Sequence, residues 1–226
     1  MKRFAVIGLG RFGKKLALAL SISGAEVVAI DKDREIIEDI RDDVSHAVRL
    51  DSTDIDALKA QGLDKIDVAI VGMGQAGHGF EAAILTVVNL KQLGVPLIYA
   101  RAENLTAGQV FLAVGATEIV YPEIETAQRW GYKLIAPHIE EKIDFAPGYS
   151  LARLKAPDSF NGQTIMELQL RQKYNINLVA VKRGENAADE EKDAVINVPM
   201  PSTIIYSDDI LIVAGADTDL ARLPQE

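Results

Sequence analysis

Through the first 121 residues, short apolar runs rich in Val and Ile alternate with longer segments of helical period, the form taken by a parallel sheet wound with crossover helices. The pattern predicts strands at Phe4–Gly8, Glu26–Asp31, His46–Asp51, Asp67–Gly72, Leu97–Arg101 and Glu118–Tyr121. Helices are predicted between them at Arg11–Ile22, Asp33–Asp42, Ile55–Gln61, Gly77–Leu93 and Leu105–Val114. Six strands with five crossovers make a complete doubly wound α/β sheet of Rossmann type, in which the first and fourth strands are neighbours. Pro122 stops the sixth strand and opens a helix whose first turn carries Glu123 and Glu125 and which runs to about Ala136.

Pro137 and Ala146-Pro147-Gly148 break the regularity and place a boundary near residue 140. Beyond it, strand-like runs at Tyr149–Lys155, Asn177–Lys182, Ala194–Val198 and Asp209–Ala214, a helix near Thr164–Lys173 and a last short helix to Leu223 predict a smaller α+β module. The expected organisation is a doubly wound domain over 1–121, a crossover helix and hinge over 122–140, and a second domain over 141–226. The polar stretch Glu185–Asp193 reads as a solvated hairpin loop.

Composition narrows the function classes. With 226 residues, 48% of them hydrophobic and 25% charged, the chain is long enough for one full α/β domain and a companion. Lys and Arg number 24 against 33 acids, a formal charge of −9 without a basic stripe, which argues against a nucleic-acid partner. Cysteine is absent, which removes disulfide scaffolds, thiolate metal sites and a cysteine nucleophile, and suits a reducing compartment. Apolar stretches such as Ile84–Leu90 fall short of the roughly 20 residues that cross a bilayer, and the opening MKRFAVIGLGRFG is not shaped as a signal segment. A cytoplasmic protein that meets a membrane through a partner is expected.

The strongest chemical signal is Gly8-Leu9-Gly10-Arg11-Phe12-Gly13, directly after an apolar strand and opening a helix, with Asp31 ending the second strand 18 residues after Gly13. Gly8 permits the tight turn, Gly10 lets backbone approach a phosphate, Gly13 packs helix on strand, and Asp31 stands where an acid meets an adenosine ribose and repels a 2′-phosphate. Arg11 adds a guanidinium suited to a terminal phosphate, and Lys32 adjoins the ribose acid. A second glycine cluster, Gly72-Met73-Gly74-Gln75-Ala76-Gly77, follows the fourth strand and would flank the same crevice, with Gly72 and Gly74 as candidates for close backbone approach to the same ligand. Asp51-Ser52-Thr53 and Arg101 end the third and fifth strands on the same edge, for adenine and phosphate respectively. Glu123 is the candidate oxygen ligand for Mg²⁺ or Ca²⁺ beside a nucleotide phosphate. No Ser-His-Asp spacing, H-E-x-x-H or paired carboxylates mark a catalytic centre, and His46, His78 and His138 are scattered. Trp130 and Tyr132 read as packing residues or as part of an amphipathic interface helix.

Taken together, GLGRFG, AEVVAID closed by Asp31, HAVRLDSTD, PLIYARAEN and GATEIVYPE resemble the RCK (regulator of potassium conductance) subunits of bacterial Trk and Ktr potassium uptake systems, with TrkA-N and TrkA-C domains. The resemblance spans essentially the whole chain. It implies a non-catalytic regulator, a homodimer assembling into an octameric ring beneath a membrane potassium channel or transporter of Trk or Ktr type. It implies ATP and ADP as ligands, with NAD(H) second, Arg11 and Arg101 on phosphate, Asp31 on ribose, and Glu123 holding a divalent cation. The family often has asparagine where Asp51 stands and lysine where Arg101 stands. Some Ktr-type C-terminal modules bind cyclic di-AMP, and Leu170-Arg171-Gln172-Lys173-Tyr174-Asn175 partly resembles that region. Two other readings stand beside this one: a small NAD-dependent oxidoreductase and a free-standing adenine-nucleotide sensor.

Overall fold

A computed structural model describes residues 2–73, 78–185 and 194–224. Gly74 and nearly all of the Glu185–Asp193 loop lie outside the described residues. Strands β1 (Arg3–Ile7), β2 (Glu26–Asp31), β3 (His46–Arg49), β4 (Val68–Val71), β5 (Leu97–Arg101) and β6 (Glu118–Val120) form one parallel sheet in the order β3-β2-β1-β4-β5-β6. Helices α1 (Arg11–Ile22), α2 (Arg34–Ile40), α3 (Ile55–Ala60), α4 (His78–Gln92) and α5 (Leu105–Val114) connect them.

Side chains alternate across the sheet, so each central strand feeds two cores. Val27 and Ala29 of β2, with Val6 of β1, pack with Ala17 of α1 and with Ile37 and Ile40 of α2. Val28 and Ile30, with Ala5 and Ile7, pack with Leu58 of α3, Val87 and Leu90 of α4 and Phe111 of α5. Because β1 pairs with β2 on one side and β4 on the other, the winding reverses at β1, and the crevice at the carboxyl ends of β1 and β4 is where such folds take ligands.

The chain divides within α6 (Pro122–Ile135) into two compact units, Met1–Thr126 and Ala127–Glu226. No residue of α6 is buried in the single chain. The second unit contains β7 (Ile139–Ala146), β8 (Tyr149–Lys155), α7 (Ile165–Leu168), α8 (Leu170–Tyr174), β9 (Asn177–Lys182), β10 (Val195–Ile196), β11 (Ile210–Ala216) and α9 (Asp217–Leu220). Its strands form an antiparallel sheet in the order β10-β9-β11-β8-β7.

Two expectations about this unit are corrected. The break expected near residue 140 is an edge strand: β7 runs through it, and Pro147-Gly148 forms the hairpin turn to β8, with Gly148 at φ 74°. The helix expected over Thr164–Lys173 is split, because Gln169 adopts φ 49°. Leu168 and Leu170 are both buried in the same core, and in an unbroken helix two residues so spaced would point to nearly opposite sides. The left-handed residue between them turns both inward.

Candidate nucleotide site

A cavity of about 680 Å³ opens where the carboxyl ends of β1 through β5 meet the starts of α1 and α4, wholly within the first unit. Its floor is the glycine turn. Gly8 has φ 85°, and a Cβ there would stand 2.8 Å from the Cβ of Met73. A Cβ on Gly72 would stand 2.8 Å from the carbonyl oxygen of Gly8 and 3.3 Å from Cα of Gly13. The two glycine turns therefore touch backbone to backbone, and only residues without side chains allow it.

Gly10 is the N-cap of α1 and offers no side-chain acceptor, and the first turn carries no acid. The neighbouring helices are capped: Asp33 accepts from Glu35 N–H in α2, Asp54 from Asp56 and Ala57 in α3, and Asn104 from Ala107 in α5. A Cβ on Gly10 would meet no atom within 4 Å. An uncapped helix start lined with backbone N–H groups and facing open space is suited to an anion.

Asp31 is tied to this turn. Its Oδ2 accepts from Leu9 N–H at 2.6 Å and its Oδ1 from Asp33 N–H at 3.0 Å, which leaves acceptor capacity on both oxygens. Asp51 accepts from the N–H of Thr53 at 3.0 Å and from its hydroxyl at 2.8 Å. That amide first, the hydroxyl next and the Lys32 charge last hold the Asp51 carboxyl below its ordinary range, against a small opposing effect of burial. Ser52 is buried, with its hydroxyl 2.7 Å from that of Thr86. Thr86 gives its own proton to Ala82 O, so Ser52 is the donor and its oxygen retains lone pairs. Asn89 of α4 donates to the carbonyls of Ser52 and Thr53 at 3.2 and 3.0 Å and so fixes the 51–53 loop.

At the opposite end Arg101 ends β5 and pairs with Glu123 in the first turn of α6. Burial pushes the Glu123 carboxyl up, but the Arg101 hydrogen bond, Glu123's own backbone amide and the charges of Arg101 and Arg11 outweigh it and hold the group below its ordinary range. Gly8, Gly10, Arg11, Phe12, Asp31, Lys32, Asp51, Ser52, Thr53, Gly72, Arg101 and Glu123 all line this one cavity, while Gly13 packs behind it. Among the described residues no group of three or more acids or histidines is placed to hold a metal ion, and Glu123 faces a guanidinium. Sequence reasoning missed the apolar walls, Ile36 and Leu50, and the α4 contribution of Gly79 and Ala82. Small residues three apart at a helix start are the signal that could have pointed to α4.

The fold and cavity define a doubly wound dinucleotide-type domain joined to a small antiparallel-sheet domain. The TrkA-N domain family matches residues 4–122 and the TrkA-C domain family residues 150–224. The chain is 39% identical over 221 residues to Ktr system potassium uptake protein C of Bacillus subtilis strain 168, covering 98% of this chain and 95% of that protein. It is 30% identical over 225 residues to Ktr system potassium uptake protein A of the same strain, covering 100% and 96%. The chain therefore belongs to the TrkA/Ktr family of RCK-type potassium-uptake proteins. Among solved structures the GsuK RCK domain superposes with TM-score 0.54 at 23% identity, covering 98% of this chain and 47% of that one. The GsuK channel bound to NAD gives TM-score 0.54 at 24% identity, covering 97% and 37%. This chain thus spans less than half of those chains, and the likeness is one of fold.

Proposed function

We propose that the chain is a non-catalytic, nucleotide-sensing subunit that regulates a membrane potassium channel or transporter of Trk or Ktr type from the cytoplasmic side. The observation that carries this reading is the uncapped α1 start opening into a cavity with the Asp31 carboxylate at one end and the Arg11 and Arg101 guanidiniums at the other. That arrangement suits an adenosine ribose and a run of phosphates. ATP and ADP are the favoured ligands and NAD(H) the second choice. Mg²⁺ or Ca²⁺ would be held by Glu123 only together with phosphate oxygens, as one carboxylate does not suffice. Among the described residues no helix is long and apolar enough to cross a membrane, which fits action through a partner subunit.

The exposed, amphipathic α6 supports a homodimer, and an octameric ring is the assembly that the family likeness favours. Ligands gate such a ring only through differential affinity for its states. Moving a gate from 1:99 to 99:1 takes about 5.5 kcal/mol, or roughly 0.7 kcal/mol at each of eight sites. One extra phosphate held by Arg11 is sufficient for that.

A thermal-shift panel with ATP, ADP, NAD, NADH and cyclic di-AMP, with and without Mg²⁺, tests the reading, because a ligand of the native state raises apparent stability. ATP and ADP are expected to give the largest shifts, reduced in Arg11→Ala. A panel in which no adenine nucleotide stabilises the protein overturns it. Cyclic di-AMP in the second domain, near the exposed Arg171 and Lys173 of α8, is the weaker expectation and is read by the same panel.

A further inference from the structure

Three basic side chains, Arg11, Lys32 and Arg101, and three acids, Asp31, Asp51 and Glu123, line the cavity. Two of the acids are anchored by neutral donors rather than by a cation, Asp31 by the amides of Leu9 and Asp33, Asp51 by the amide and hydroxyl of Thr53. Glu123 alone among the three hydrogen-bonds a guanidinium, that of Arg101.

The two members of this pair are held very differently. The Arg101 side chain is 9% exposed, and its Nε–H is buried with no acceptor among the described residues. The Glu123 side chain is 59% exposed. A buried guanidinium with an unused donor is under-satisfied, and a phosphate, with more oxygens and more charge than a carboxylate, serves it better. Glu123 loses little by letting go, because it sits at a helix start, where the macrodipole favours an anion, and close enough to feel the charge of Arg11.

We infer that Glu123 is a built-in substitute for a ligand phosphate on Arg101: a phosphate-bearing ligand takes the guanidinium, Glu123 is displaced, and the first turn of α6 loses its tie to β5. This rests on the cavity being a nucleotide site. Glu123 is then an intramolecular competitor, so removing its charge strengthens the binding of phosphate-bearing ligands and of no others. The event at the phosphate is thereby transmitted to the start of α6.

The test is calorimetry in EDTA, so that no divalent cation bridges carboxylate and phosphate, with ADP and adenosine as probes for wild type, Glu123→Gln, Arg101→Gln and the double variant. Glu123→Gln is expected to bind ADP about two- to fivefold more tightly, from the usual strength of a partly exposed ion pair. Adenosine affinity stays unchanged, and the gain vanishes in the Arg101→Gln background. Exchange of the backbone amides of residues 123–126 is expected to quicken on adding ADP to wild type and to be fast without ligand in Glu123→Gln. If wild type binds ADP while Glu123→Gln binds it no more tightly, or gains as much for adenosine, the exchange is wrong and the nucleotide reading survives. If wild type binds neither probe, both fall. Should Arg101→Gln fail to fold, the ADP-to-adenosine comparison in Glu123→Gln decides alone.

Discussion

Leu9 N–H donates to Asp31 Oδ2 at 2.6 Å, so the acid that closes β2 is bonded to the glycine turn that follows β1, 22 residues away. One carboxylate thus positions the glycine turn and keeps lone pairs available in the cavity, where the proposed ribose would use them. Asp31→Asn keeps an acceptor but loses the charge. It is expected to cost about 1 kcal/mol of stability. Its discrimination between NAD and NADP should fall from about tenfold or more toward parity, as the repulsion of a 2′-phosphate disappears. Paired titrations with the two cofactors check this, and an unchanged ratio would remove Asp31 from the ribose site.

Gly8 combines a left-handed φ of 85° with the close approach of Met73. Gly24, at φ 82°, has nothing within 4 Å of the point where a Cβ would stand and serves as the control. Gly24→Ala is expected to cost about 1 kcal/mol from backbone strain alone, and Gly8→Ala about 1–3 kcal/mol more in urea unfolding. Equal losses would mean that Met73 moves aside without penalty.

Asn89 reaches the cavity only through the loop it holds. Asn89→Ala removes both donors to the Ser52 and Thr53 carbonyls and is expected to weaken adenosine and ADP binding about three- to tenfold, with a stability loss of about 1–2 kcal/mol. Inorganic tripolyphosphate, which would use the Arg11 and Arg101 end, should bind as to wild type. A parallel loss for tripolyphosphate would show that the variant disturbs the whole domain.

In the second unit Lys142 Nζ donates to Asp144 at 2.6 Å and to Asp217 at 2.9 Å, and it lies 4.4 Å from the centre of the Tyr132 ring. The Lys142 hydrogen bond first, and Ser150 next, hold the Asp144 carboxyl below its ordinary range. The unfolded chain then takes up a proton more readily than the folded one. The stabilisation is present above the ordinary carboxyl pKa of about 4 and is lost as pH falls through the lowered folded value. Burial lowers the Lys142 pKa, but its two carboxylate partners outweigh that and raise it, so its share persists at neutral pH and fades only as pH rises beyond the ordinary lysine range. Because Asp144 is largely exposed, the acid effect is expected to stay under about 1 kcal/mol. Urea midpoints from pH 7 to pH 3 should fall more steeply for wild type than for Asp144→Asn, and parallel curves would rule the pair out.

Much of the first unit is legible in the residues. The limits of α1, α5, β2 and β5 coincide with those read from periodicity, because Gly10 and Asn104 open the helices and β-branched runs mark the buried strands. Predicted β3 extends two residues too far, since at Asp51 the chain leaves the ladder to make its turn with Thr53. The second unit is less legible. β7 is an edge strand with mostly exposed side chains, so no apolar alternation announces it, and its flanking prolines read as breakers. The split at Gln169 depends on a core that Leu168 and Leu170 share only in three dimensions. At the site, glycine spacing and Asp31 can be read locally. The pairings Ser52 with Thr86 and Arg101 with Glu123 join residues 34 and 22 positions apart and need the folded sheet.

Trp130 is the sole indole of the chain, and it stands half exposed on α6. Ultraviolet emission excited at the red edge of the aromatic band therefore comes from that helix alone, and the protein carries its own optical reporter. Association of copies along α6, or a change in its surroundings when a nucleotide arrives, becomes readable in real time on unlabelled material.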